Sequence, residues 1–392
     1  MDLGSLIVAA LLSLGLIGTD AVINAGTIRF DIQVTDDLAK SGYTPQLVDA
    51  IMVNDLRALV DFQSIIRPPQ IRTPEERSIV GAMADSLNLK EVTAAFQADF
   101  GVNTVHITGS LMAAGKDKQD LRVILAGNSR YTGNFLIDAT SDGQALPVFL
   151  QDVAAEVVTR LEPYATAVDQ FNRLSRDIIA GKENQGPAKF GAVIDHLVAS
   201  EARQPDSDVD HAAFHNLIGL VEMMTNDPAQ AEAAFKMSVM LDPRLGIPGI
   251  NLALLYVSQH RFDDAISAID LAMAIPRVRR APYLLANAQT VRALALWGQG
   301  NLQGASDEFL LAAQTYPAGM WAYFYWAELL DSVGNKPDAA LLRGRAQHNM
   351  DIFNSYPEVA FMHIRVVTAA GFASRPIDLT SVRHIAEIYA QP

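Results

Sequence analysis

The chain has no cysteine in its 392 residues. That excludes disulfide frameworks, thiolate nucleophiles and thiolate-bound metals in one step. It leaves the compartment open, since a thiol-free chain suits an oxidising space and is tolerated in a reducing one. Cations are scarce: 30 Lys and Arg face 44 Asp and Glu, for a net charge of −14. Phosphate backbones require Lys and Arg gathered in a stripe, so a nucleic-acid partner is excluded. The compact basic run at Arg277, Arg279 and Arg280 reads as a solvated loop. Three motifs are also missing. The sequence contains no Gly-rich loop ending in Gly-Lys-Ser or Gly-Lys-Thr, no G-x-G-x-x-G after a strand and no Gly-x-Ser-x-Gly, so neither a nucleotide cradle nor a nucleophile elbow is marked.

What is present is apolar. Half the residues are hydrophobic and 19% are charged, enough to bury a large core. The length points to two or three domains. Leu3–Thr19 runs 17 residues without a charge, which as a helix rises about 25 Å, the short end of a bilayer span. Residues 1–26 are therefore expected to anchor the chain in a membrane. A cleaved signal peptide ending near Ile23-Asn24-Ala25, or a buried helix, are the alternatives. Arg29 and Lys40, both C-terminal to the run, lean toward a cytoplasmic body.

Residues 27–163 read as an α+β domain. Thr27–Val34 alternates as a strand, and Thr44 with Pro45 opens a helix running to about Phe62. Thr73, Pro74 and Glu76 open a second helix, and Asn88–Phe100 makes a third, stopped by Gly101. Val102–Met112, Asp120–Ala126 and Asn134–Ala139 then alternate with period two, as in an antiparallel meander. Leu146–Leu161 returns to a helical period and should cover one face of the sheet.

Beyond that domain a spacing dominates. Gly219, Ala231, Phe235 and Ser238 recur 34 residues on as Ala253, Ala265, Ile269 and Ala272. The template returns at Ala293, Ala305, Phe309 and Ala312, and 34 residues later at Ala327, Ala339, Arg343 and Ala346. That period, with small residues where helices cross, is the mark of stacked helical hairpins. Repeats are placed at 212–245, 246–279, 286–319 and 320–353, with an insertion at 280–285. Residues 164–211 form a capping helical pair broken at Gly181–Pro187, and 354–392 supply C-terminal capping helices, among them Pro357–Gly371 and Ile377–Tyr389.

Two resemblances accompany these patterns. With their small-residue slots, Tyr256, Pro243 and Pro317, the repeats resemble tetratricopeptide repeats. The stretch Phe100–Leu111, with Asp120-Leu121-Arg122-Val123 and Phe149–Val158 followed by Leu161-Glu162-Pro163, resembles the α+β domain that precedes such repeats in membrane-bound bacterial regulators. That likeness covers roughly residues 80–163. It implies a body outside the cytoplasm, in the periplasm. In that family a signalling module usually comes first, where this sequence shows the apolar segment and an additional helical stretch.

Chemistry-bearing candidates are few. His211 and His215 stand one helical turn apart and could share a metal with Asp208 or Asp210, but Ala212 occupies the place where a hydrolytic motif needs Glu. Ordinary packing at a helix start is the expected role, so no metal or cofactor is assigned. Asp36-Asp37 and Asp263-Asp264 fit helix starts, where the helix dipole favours them by about 0.3–1 kcal/mol. In the repeat register the first helices turn a concave groove outward. Its wall is predicted to hold Leu220 and Met223 beside Asn216, then Leu254 and Val257 beside Ile250, then Leu294 and Trp297 beside Thr290. Trp321, Phe324, Glu328 and Asp331 complete it. Such a wall can take a helix or an extended peptide, or be filled by the chain's own helix near Ile377–Tyr389.

The expectation is an α+β domain followed by an all-α solenoid, acting as a membrane-anchored, non-enzymatic scaffold. Its partners would be proteins of a membrane-associated complex and, through residues 1–26, the bilayer. A sensory or regulatory component is the alternative, and a metal-dependent hydrolase a weaker one.

Overall fold

The computed structural model describes residues 28–60, 105–114, 120–129, 133–179, 187–202 and 208–350. The expected anchor at 1–26, the helices from Thr73 and at Asn88–Phe100, and the caps at 354–392 lie outside the described residues. Among the described residues no helix is long and apolar enough to cross a membrane. The chain divides into two compact units, with the division after Thr166.

Among the described residues the first unit holds a four-stranded sheet in the order β1 (Ile28–Val34), β2 (Val105–Ala113), β3 (Leu121–Ser129), β4 (Gly133–Thr140). Between β1 and β2 come α1 (Asp36–Lys40) and α2 (Pro45–Val60), and α3 (Leu146–Leu161) follows β4. Thr44 opens α2 as expected: its Oγ1 accepts from the Leu47 N–H at 3.3 Å. The β2–β3–β4 meander is antiparallel, but β1 lies parallel to β2, with Ile28 opposite Val105, so the sheet is mixed and not antiparallel throughout. The cause is the long connection carrying α2. A crossover of that length returns the chain in its starting direction, whereas a tight turn would reverse it.

Leu146, Phe149, Leu150, Val153, Val157 and Leu161 of α3 recur at helical spacing and are buried. They meet Val48, Met52 and Leu56 of α2 and the inward residues Ile32, Ile107, Leu111, Val123 and Ile137 in one core. Each fully buried aliphatic side chain contributes roughly 1.5–3 kcal/mol. Gly109 has to be glycine: a Cβ there would lie 2.1 Å from the Ile124 carbonyl oxygen.

Among the described residues the second unit is all helix. After α4 (Pro163–Ile179) and α5 (Pro187–Glu201) come four antiparallel hairpins: α6 (Asp208–Thr225) with α7 (Pro228–Leu241), α8 (Ile247–Ser258) with α9 (Phe262–Ala274), α11 (Pro282–Gly298) with α12 (Leu302–Thr315), and α13 (Trp321–Ser332) with α14 (Lys336–Met350). The repeat extends to the turns. Asn226, His260, Gly300 and Gly334 occupy one slot of successive hairpins, and all have positive φ, at 66°, 59°, 82° and 87°. A left-handed residue just past a helix end reverses the chain. His260, isolated in the sequence, is explained by that slot.

The small-residue slots do what close crossing requires. Ala231, Ala265, Ala305 and Ala339 are fully buried. A Cβ at Gly219 would fall 2.5 Å from the Phe235 ring. Arg343 stands where Phe235, Ile269 and Phe309 fill the other hairpins, and it donates to Glu328 at 2.8 Å and to Asp331 at 2.7 Å. The basic run is not a loop: Pro276–Arg280 forms the short helix α10, with its three Arg exposed and Val278 buried. Val278 packs over Gly246, where a Cβ would come 2.4 Å from its Cγ2 and where φ is +78°.

Candidate functional site

The predicted groove wall is mostly interior. Leu220 and Met223 on α6, Leu254 and Val257 on α8, Leu294 on α11, and Trp321 and Glu328 on α13 are all buried within the chain. Trp297, Phe324 and Asp331 are half-buried. The accessible part of the predicted wall is therefore confined to the last two hairpins. The reason is visible in α8, where Ile250–Val257 is buried at every position. A helix covered on all sides presents no open stripe.

Buried polar groups line the same first helices. Asn251 Nδ2 donates to Asn216 Oδ1 at 2.9 Å, tying α8 to α6. Thr290 Oγ1 returns to the Ala286 carbonyl at 2.8 Å. Glu328 accepts from Arg343, so the acidic end of the predicted wall is an ion-paired strut within the fourth hairpin. A small cleft between the third and fourth hairpins is lined by Tyr283, Asn287, Thr290, Tyr316 and Trp321.

His211 and His215 do come together, though with a carboxylate that no sequence offset could indicate. Glu201 of α5 lies with Oε1 at 3.1 Å from His215 Nε2 and 3.7 Å from His211 Nδ1. Among the described residues no three potential ligands form a metal-holding group. The Asp208 and Asp210 side chains lie outside the described residues. Asp263 and Asp264 sit in the first turn of α9 and are engaged, with Gln299 donating to Asp263 at 2.6 Å and Arg261 to Asp264 at 2.7 Å.

One charged knot links the first two hairpins. Glu232 on α7 accepts from Lys236 of the same helix at 2.6 Å, from Arg261 at 2.7 Å and from the Tyr256 hydroxyl on α8 at 3.0 Å. Burial alone would raise the Glu232 pKa, but these three donors overcome it and bring it down to about 2. The Arg261 guanidinium also lies 4.1 Å from the Tyr256 ring centre.

The surface that sequence reading missed is on the second helices. Met237, Leu271 and Leu311 occupy the same slot of α7, α9 and α12 and are 38%, 74% and 44% exposed. The signal was available, because the spacing that places the buried small residues also aligns these outward positions.

No family model matches the chain, and no curated protein matches its sequence. Among solved structures, residues 41 to the end of MamA from Desulfovibrio magneticus RS-1 share 15% identity over 47% of this chain and 97% of that one, with a TM-score of 0.34. Another MamA structure shares 18% over 42% and 91%, with a TM-score of 0.33. PilF from Pseudomonas aeruginosa shares 14% over 56% and 89%, also at 0.33. At that similarity they carry no inference about function.

Proposed function

We propose that the chain is a non-enzymatic scaffold that binds other proteins through its tetratricopeptide-like repeat and is held at a membrane by residues 1–26. The observation that carries the binding role is the recurrence of exposed Met237, Leu271 and Leu311 at one slot of three successive hairpins. A lone exposed Leu calls for no explanation, whereas an ordered apolar patch marks an interaction surface. Half-buried Trp297 and Phe324 on the first-helix side offer a second point of contact. Carboxylates engaged in helix starts and ion pairs support the non-enzymatic reading. The membrane role rests on the uncharged Leu3–Thr19 run, and the periplasmic placement on the resemblance of residues 80–163.

Affinity capture from detergent-solubilised membranes, with mass spectrometry, tests this reading. Leu271→Glu should leave stability within about 0.5 kcal/mol, as for exposed positions generally. It should also deplete the co-purifying protein about tenfold or more, the loss expected for an apolar anchor. Identical recovery with Leu271→Glu and Phe324→Ala would refute binding through the repeat. Deleting residues 1–26 should turn a carbonate-resistant membrane protein into a soluble one. A full-length chain that is soluble without detergent would end the anchoring part alone.

A further inference from the structure

Among the described residues the sheet has two edges, and its own side chains block only one. At β1 the Asp49 carboxylate of α2 comes up to the backbone N–H of Ile32. At β4 the ladder fixes which groups point outward. The Ser141 N–H donates to the Leu121 carbonyl at 2.8 Å, and the Leu121 N–H returns to Ser141 Oγ at 2.8 Å. Successive residues of an antiparallel strand aim their backbone groups alternately at one neighbour and the other. Phe135, Ile137 and Ala139 therefore pair with β3, while Leu136, Asp138 and Thr140 turn N–H and C=O away from it. No described strand receives them. β4 carries no Pro or Lys, the usual guards of a free edge, and Leu136 is 64% exposed.

Beside that edge a groove of about 410 Å³ opens between β4 and α3. Phe149 and Val153 form an apolar floor. Its charged lining is Asp138, Asp142, Asp152 and Glu156 against Arg160. Arg160 is already bound to Glu156 at 2.6 Å, and Arg122 holds Asp138 at 2.5 Å. Asp142 accepts from the Thr140 hydroxyl and Asp152 from the Gln144 amide, and neither has a cation among the described residues. The groove is thus net negative, with a row of unused backbone donors and acceptors along one side.

We infer that β4 takes an extended basic segment of another protein as an added strand, with Lys or Arg at alternate positions lying against Asp142 and Asp152. The backbone groups of Leu136, Asp138 and Thr140 supply the affinity. The period of two in a strand brings every second partner side chain over the acidic groove, which supplies the selection. This site is independent of the helical repeat, and its failure would leave the scaffold reading intact.

The test is fluorescence anisotropy of the full chain with a fluorescein-labelled peptide alternating Lys and Val. A peptide alternating Glu and Val serves as control, and amide hydrogen exchange is followed in parallel. The Lys peptide should bind and weaken as salt rises. The Glu peptide should bind at least about tenfold more weakly. Asp152→Lys should cost about tenfold, and Leu136→Pro at least as much, since it deletes an outward donor at an edge where proline is tolerated. The amides of Leu136, Asp138 and Thr140 should gain protection in the wild-type complex, a readout that stands even if Leu136→Pro fails to fold. No binding of the Lys peptide, equal binding of the Glu peptide, or binding without protection of those amides would each overturn the inference.

Discussion

The two units bury the same kind of apolar surface by contacts of different reach. In the sheet unit Ile28 pairs with Val105, and one core draws on β1, α2, the meander and α3 together. In the helical unit each element meets its hairpin partner or the next hairpin along: α6 packs on α7, α7 on α8, α8 on α9. Stability in such a stack is a sum of local terms, so a defect should stay near where it is made. In the sheet unit it should not.

The largest expected effect tests the cooperative half of that contrast. Gly109→Ala puts a Cβ 2.1 Å from the Ile124 carbonyl oxygen and 2.6 Å from Leu125 Cδ2, where backbone must move to admit it. Overpacking of this kind costs about 3 kcal/mol at its upper end. In urea, exchange protection across β2, β3 and α3 should fall together, while α8 and α11 keep theirs. Equal losses in both units would show that they unfold as one, and the comparison would be broken.

Ala265→Leu tests the local half. Ala265 is fully buried at the crossing of α8 and α9, and added bulk there should cost about 1–3 kcal/mol. Protection should drop in the second hairpin and its neighbours and persist in α13 and α14. Lys336→Ala, at an exposed helix start, should change stability by no more than about 0.5 kcal/mol. A matching effect from the two variants would mean that the crossing slots are misassigned.

The same contrast explains what the sequence could disclose. Local information placed the elements: Leu146–Leu161 is helical over the span its apolar period marks, and Gly219, Ala231 and Ala265 fall at close crossings. Alternation in Ile28–Val34 identified a strand, but a period of two does not name a strand's neighbour or its direction, so the parallel pairing with β2 was not legible. Glu201 beside His211 and His215 was hidden for a similar reason, because it comes from another helix at no fixed offset. How little of the predicted groove wall is exposed was legible in the sequence. Ile250–Val257 is apolar almost without interruption, the pattern of a helix covered on every side, and a one-sided wall would have interrupted it with polar residues. The outer slot of Met237, Leu271 and Leu311 was equally readable, since the repeat spacing that aligns the small buried positions aligns these as well.

The smallest expected effect sits where two hairpins meet, and its pH dependence distinguishes a charge clamp from packing. Glu232 belongs to the first hairpin, and Tyr256 and Arg261 belong to the second. Burial acts to raise its pKa, yet hydrogen bonds from Lys236, Arg261 and Tyr256 hold it at about 2, below the ordinary 4.5. The folded state therefore binds this proton less readily than the unfolded chain. The stabilisation is present in full above pH 4.5 and is lost as pH falls toward about 2. Solvent reaches Lys236 and Arg261, whose side chains are 56% and 39% exposed, which reduces the net contribution to about 1 kcal/mol. Glu232→Gln should cost that much at neutral pH, and its deficit in urea unfolding should shrink as the wild-type carboxylate is protonated. Exchange protection should weaken where α7 meets α8, with β1 to β4 untouched. A deficit that stays constant through that acid range would mean that the side chain works by shape alone. A deficit that spreads to the sheet would deny that the repeat confines its defects.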